Sequence, residues 1–272
     1  MSNLKDFFAN IDKKKVKEHM KNKFRNRKPA QIFSKNKNIE NSIDSDIIND
    51  AINCSKDKKI INLSNLGLNK IPEQLPETVE ILDISDNEIE QLPDPLDYPN
   101  LKVLNCSDNK ITKIPNYQNL VELLCLYNEI KEISPMKKLI ILDCSHNKLE
   151  SLPQFPSLKI LICPVNRLIK IRSYPVLTEL YCHCNKIEFI DGMDNLIKLD
   201  CNQNKLTKIP KSKSLSVVWC YDNNISKISG VPNIKEIFCD ENKVNKMSEK
   251  ISENCVGKKE NNSIAQYKFI NK

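Results

Sequence analysis

Asparagine returns along this chain at Asn87, Asn109, Asn128, Asn147, Asn166, Asn185, Asn204, Asn223 and Asn242; the first step is 22 residues and the next seven are 19 each. Each is framed alike. Aliphatic residues lie eight and five positions before it, as Leu101 and Leu104 do before Asn109. Further apolar residues lie two and five positions after it, often with proline following. A fixed period of this kind constrains the fold more than composition can. One period cannot bury its own apolar side, so successive periods must stack and share a core.

A second column runs with the first. Cys106, Cys125, Cys144, Cys163, Cys182, Cys201, Cys220 and Cys239 each stand three residues before an asparagine, and Leu63 and Ile84 hold that slot in the first two periods. Aliphatic side chains substitute there, so the slot calls for a small buried hydrophobe, a role free cysteine fills well. A zinc site would need four ligands converging on a point, and a column places them in a line. Stacked cysteines would have parallel Cβ vectors, poor geometry for a disulfide. The column therefore fits a reducing, intracellular setting. His183 and Cys184, adjacent in "YCHCNK", are weighed as a metal or catalytic pair and read instead as turn residues beside a strand.

The consensus L-x-x-L-x-C-x-x-N-x-[IL]-x-x-[IL]-P closely resembles the leucine-rich-repeat family, over about residues 58–248 and ten repeats. "NKIPEQLPETVEILDISDNEIEQLP" is similar to the short repeats of bacterial effectors and of some large DNA viruses. The resemblance implies a solenoid with parallel β-strands on a concave face and a non-catalytic protein-interaction role. The spacing leaves little room for helices outside, so the convex side is expected to be extended or polyproline-like. The asparagines are expected to satisfy backbone groups where the chain leaves each strand.

The residue before each inward cysteine faces outward. In order these are Asn62, Asp83, Asn105, Leu124, Asp143, Ile162, Tyr181, Asp200, Trp219 and Phe238. Trp219 is the only tryptophan of the chain. Exposed aromatics of this kind are enriched in binding hot spots. The candidate partner-binding residues are Tyr181, Trp219, Tyr221 and Phe238, with a second patch at Leu124, Tyr127 and Ile162. Acidic positions nearby, Asp200 and Asp222 among them, favour a partner with some positive charge.

The ends depart from the pattern. Residues 1–38 carry 12 Lys and Arg against 3 Asp and Glu, while the rest of the chain carries 30 against 32. Residues 1–40 read as a basic arm, helical or disordered, able to contact nucleic acid or an anionic membrane nonspecifically. An adaptor tethered by this arm is the alternative reading of function. Residues 41–57, with Ile43, Ile47, Ile48, Ala51 and Ile52 on one helical face, read as an N-terminal capping helix. Residues 249–272 read as a C-terminal cap or tail. No cofactor, metal or small-molecule substrate is expected: no phosphate-loop, G-x-S-x-G or H-E-x-x-H motif occurs, and there are 3 histidines. The start has no long apolar stretch, so a cytoplasmic location is expected, in a host cell if the chain is viral or an effector.

Overall fold

The computed structural model describes residues 59–73 and 75–239 with their side chains, and the backbone of Lys246–Met247, Cys255–Lys259 and Ala265–Phe269. All lie in the second of the chain's two units, residues 43–272. The basic arm and the capping helix expected at residues 41–57 lie outside the described residues.

Ten short strands pair in parallel into one sheet, from Ile60–Asn62 and Ile81–Asp83 through Val217–Trp219 to Glu236–Cys239. Their register is the sequence period itself. Leu104 pairs with Leu123, Leu123 with Leu142, Leu180 with Leu199, and Val218 with Ile237. A slip of one residue would turn the leucines outward, so burial of this face fixes the pairing. Beyond Glu236–Cys239 the sheet continues through two antiparallel strands, Ala265–Phe269 and Cys255–Lys259.

The inside is built of columns. The central leucines and the cysteine slot are almost wholly buried, with Cys106 through Cys201 at 0 % exposure. On the far side the backbone is extended, and in places it pairs as two-residue strands such as Lys113–Ile114 with Glu132–Ile133 and Lys170–Ile171 with Phe189–Ile190. A further column, Tyr98, Tyr117, Met136, Phe155, Tyr174 and Met193, fills the core beneath these segments. The tyrosine hydroxyls are not stranded there. Tyr117 donates to the Pro93 carbonyl at 2.9 Å and Tyr174 to the Pro153 carbonyl at 3.0 Å, as a buried hydroxyl requires.

The one long step in the period also has a local cause. Between Asn87 and Asn109 the chain makes a 3-10 turn over Pro95–Asp97, and Asp94 caps it by accepting from the Leu96 amide at 2.9 Å. The turn sits on the outer side, so the added residues do not disturb the strand register.

Candidate functional site: the outward face of the sheet

The asparagine column explains how the face is held. Asn147 accepts the Ile130 amide of the preceding coil through Oδ1 at 2.9 Å. Through Nδ2 it donates to the Cys125 carbonyl of that coil at 2.9 Å and to its own Cys144 and Ser145 carbonyls at 3.1 and 3.0 Å. The same set repeats at Asn109, Asn128, Asn166, Asn185, Asn204 and Asn223, as in the bonds from Asn223 to the Cys201 carbonyl and from the Leu206 amide to Asn223. Asn87 does the same for the first coil, which has Leu66 in place of an asparagine. Asn242 lies outside the described residues. Each side chain therefore uses donor and acceptor together to join two coils just past the strand.

The residue before each asparagine, and Asn65 before Leu66 in the first coil, takes a left-handed conformation: Asn65, Asp86, Asp108, Tyr127, His146, Val165, Cys184, Gln203 and Asp222 have φ between 52° and 58°. Non-glycine residues adopt this region reluctantly, and Asn and Asp tolerate it best. Tyr127, expected to serve a partner, is thus also a turn residue, and its ring stacks on that of His146 at 4.2 Å.

The thiols are free among the described residues. Burial pushes Cys106, Cys125, Cys144, Cys163, Cys182 and Cys201 well above the usual thiol range. Cys201 and Cys220 donate weakly to the carbonyls of Trp219 and Phe238, both at 3.4 Å, so the spine touches the backbone that carries the aromatic face. Cys184 is partly exposed, and its thiol faces Gln203 Oε1 at 2.6 Å. Burial, then the Asp200 charge, raises its pKa, the opposite of what activates a nucleophile.

Along the face the chemistry changes. Near the first coils it is polar and bonded to itself. Asp83 accepts from the Ser85 amide and hydroxyl at 2.9 and 2.7 Å and from Asn105 at 3.1 Å; Asn105 and Asp143 hold Ser107 and Ser145 in the same way. Leu124 is partly exposed, while Ile162 is 6 % exposed and offers a partner little area.

In the later coils the outward residues pair across strands as Tyr181, Asp200, Trp219 and Phe238. All four are partly exposed. The Trp219 and Phe238 rings stack at 5.6 Å with 4° between planes. The Tyr181 hydroxyl donates to Glu179 at 2.8 Å, and Lys198 holds Glu179 from the other side at 3.3 Å. His183, not among the expected site residues, reaches the same face. Its Nδ1 lies 3.1 Å from Asp200 Oδ2 but without the alignment of a hydrogen bond, and that nitrogen has no hydrogen-bond partner among the described residues. Its place two residues after Tyr181 could have flagged it, since alternate strand residues share a face. Tyr221, two residues after Trp219, is partly exposed.

A parallel sheet with one coil per strand and a buried asparagine spine defines a solenoid repeat protein of the leucine-rich-repeat fold. Residues 77–119 match the family described as Leucine Rich repeats (2 copies). A leucine-rich repeat protein of Acanthamoeba polyphaga mimivirus is 38% identical over 72 residues, which is 26% of this chain and 17% of the viral protein. YopM from Yersinia enterocolitica superposes with a TM-score of 0.56 at 26% identity, over 66% of this chain and 46% of that one. The functional domain of InlJ from Listeria monocytogenes, described as including a cysteine ladder, gives 0.52 at 24% identity, over 65% and 45% of the two chains. The chain accordingly has the leucine-rich-repeat fold and is similar to viral and effector members of that family. It spans less than half the length of each of these three.

Proposed function

We propose that the chain binds a protein partner through the outward face of its long sheet, centred on Tyr181, Trp219, Tyr221 and Phe238, and that it does so without catalysis. The fold supports the coarser part of this reading, because leucine-rich repeats are commonly interaction modules. The observation that carries the finer part is the Trp219–Phe238 stack left partly exposed on adjacent strands. Rings in that position add nothing to the shared core, whereas clustered aromatics with a polar surround are typical of binding hot spots. Leu124 and Tyr127 extend the surface towards the earlier coils. The buried free thiols favour an intracellular, reducing setting, and the charge of residues 1–38 makes that arm a secondary, salt-sensitive contact for a polyanion. The test is recovery of partners by the full chain, its Trp219→Ser variant and its Tyr181→Ser variant, at low and high salt. Loss of a salt-resistant partner in both variants is expected. Partners retained by both variants, and released by salt alone, would move the function from the face to the arm.

A further inference from the structure

We propose that the aromatic end of this face accepts a basic segment of the partner protein, with one arginine or lysine side chain entering between Tyr181 and Trp219 to meet Asp200. The inference rests on the face being the protein-binding surface and names the chemistry it would select.

The strand register creates the slot. Tyr181, Asp200 and Trp219 occupy the same outward position on three consecutive strands, about 4.8 Å apart from one strand to the next. A short aspartate between two large rings leaves a gap with aromatic walls and a carboxylate floor. Both walls are braced. Trp219 lies flat against Phe238, and Tyr181 is tied through its hydroxyl to Glu179. Walls of this kind suit a cation, which is attracted by the ring faces as well as by the carboxylate, and the planar guanidinium fits a narrow slot best.

The floor has capacity left. Asp200 accepts the Asn202 amide through Oδ1 at 3.2 Å. Its Oδ2 has His183 Nδ1 close by, but in poor alignment. The surroundings carry the same sign. Glu179 and Lys198 offset each other as an ion pair, which leaves Asp200, Asp222 and Glu236 on this part of the face against Lys235 one residue before its strand. An acidic segment would be repelled. A wholly apolar one would bury the Asp200 carboxylate with the Asn202 amide as its one aligned donor, which is costly.

The experiment uses the full chain, selecting binders from a displayed random peptide library. Their affinities are then measured by calorimetry on the wild type and on the Asp200→Asn, Tyr181→Ser and Trp219→Ser variants. Trp219, as the only tryptophan, gives an independent fluorescence signal in the wild type. The expected result is enrichment of Arg- or Lys-bearing peptides that quench or shift Trp219 emission. They should lose at least tenfold in affinity in Asp200→Asn, a change that keeps the shape of the side chain. Peptides without basic residues, or basic peptides indifferent to Asp200→Asn, would overturn the inference; if they still need Tyr181 or Trp219, the binding face itself stands. Failure to select any peptide dependent on Tyr181 or Trp219 would overturn both. A full-length variant with Lys13, Lys14, Lys15 and Lys17 changed to Gln that binds peptides tenfold more tightly would make the chain's own arm the occupant, and would overturn the assignment to a partner.

Discussion

The first and last coils share one template and differ wherever the template leaves a choice. Residues 59–163 carry 10 Lys and Arg against 15 Asp and Glu, and residues 164–239 carry 11 against 7. On the early face Asp83, Ser85, Asn105 and Ser107 satisfy one another. On the late face Tyr181, Trp219 and Phe238 leave ring surface over. The spine beneath carries asparagine from Asn87 onwards and cysteine from Cys106 onwards. A solenoid can thus hold its backbone by repetition and vary its surface coil by coil, because each coil depends mainly on its neighbours.

The largest expected effect concerns the cysteine slot, which holds Leu63 and Ile84 in the first coils and thiols afterwards. Burial raises the six thiols from Cys106 to Cys201 above their unfolded values. Their stabilisation is therefore complete below the unfolded thiol pKa, and it is lost progressively as pH rises from there towards the folded values. Each thiol adds a slope of up to about 1.4 kcal/mol per pH unit above roughly pH 8.5. The urea midpoint should be flat from pH 6 to 8 and fall steeply by pH 10, with Cys144→Val reducing the slope by one thiol. Hydrogen exchange at pH 9.5 should open coils from Cys106 onwards first. A midpoint insensitive to alkali would mean the thiols are hydrated.

Next in size is the asparagine spine. Asn147→Ala removes four bonds, and the buried amide and carbonyls it leaves unpaired should cost about 3 kcal/mol by urea unfolding. Asn87, more exposed and at the start of the spine, should cost less when changed to alanine, on the order of 1 kcal/mol. Equal losses would show that the early coils depend on the spine as much as the middle ones do.

The two faces should separate stability from binding. Asp83→Ala breaks bonds to Ser85 and Asn105 and should lower stability by about 1 kcal/mol without changing partner affinity. Trp219→Ser should weaken partner binding at least tenfold, about 1.4 kcal/mol, at a comparable or smaller cost in stability.

The fold was legible because the positions that make it repeat: the leucines, Asn87 to Asn223 and the cysteine slot announce strand, turn and core through their spacing alone. The strand positions of Tyr181, Trp219 and Phe238 were also legible from that spacing. Their relations were not. The flat Trp219–Phe238 stack, the Tyr181 bond to Glu179 and the approach of His183 to Asp200 depend on rotamers that occur once each. Ile162 shows the limit most clearly. It holds an outward position, yet it is buried at 6 % exposure, and a period reports direction but not crowding. The Tyr98 to Met193 column escaped for a related reason: its residues are tyrosine, phenylalanine or methionine, so no single letter marks it.

The smallest effect tests the turn before each asparagine. The early coils place Asn65, Asp86 and Asp108 in the left-handed conformation, and a later coil places Val165 there at φ 54°. A β-branched side chain in that region is a genuine outlier, because its Cβ substituents crowd the following carbonyl, whereas asparagine tolerates it. Val165 is 37% exposed, so changing it loses little burial. Val165→Asn should therefore stabilise the chain by about 1 kcal/mol, read as a higher midpoint in urea. Asp108→Val, which moves the strain into an early coil, should lower the midpoint by a similar amount. If both changes are neutral, the turn is imposed by the asparagine bonds so firmly that the residue before them no longer matters. The difference between early and late coils would then lie wholly on the sheet's outward face.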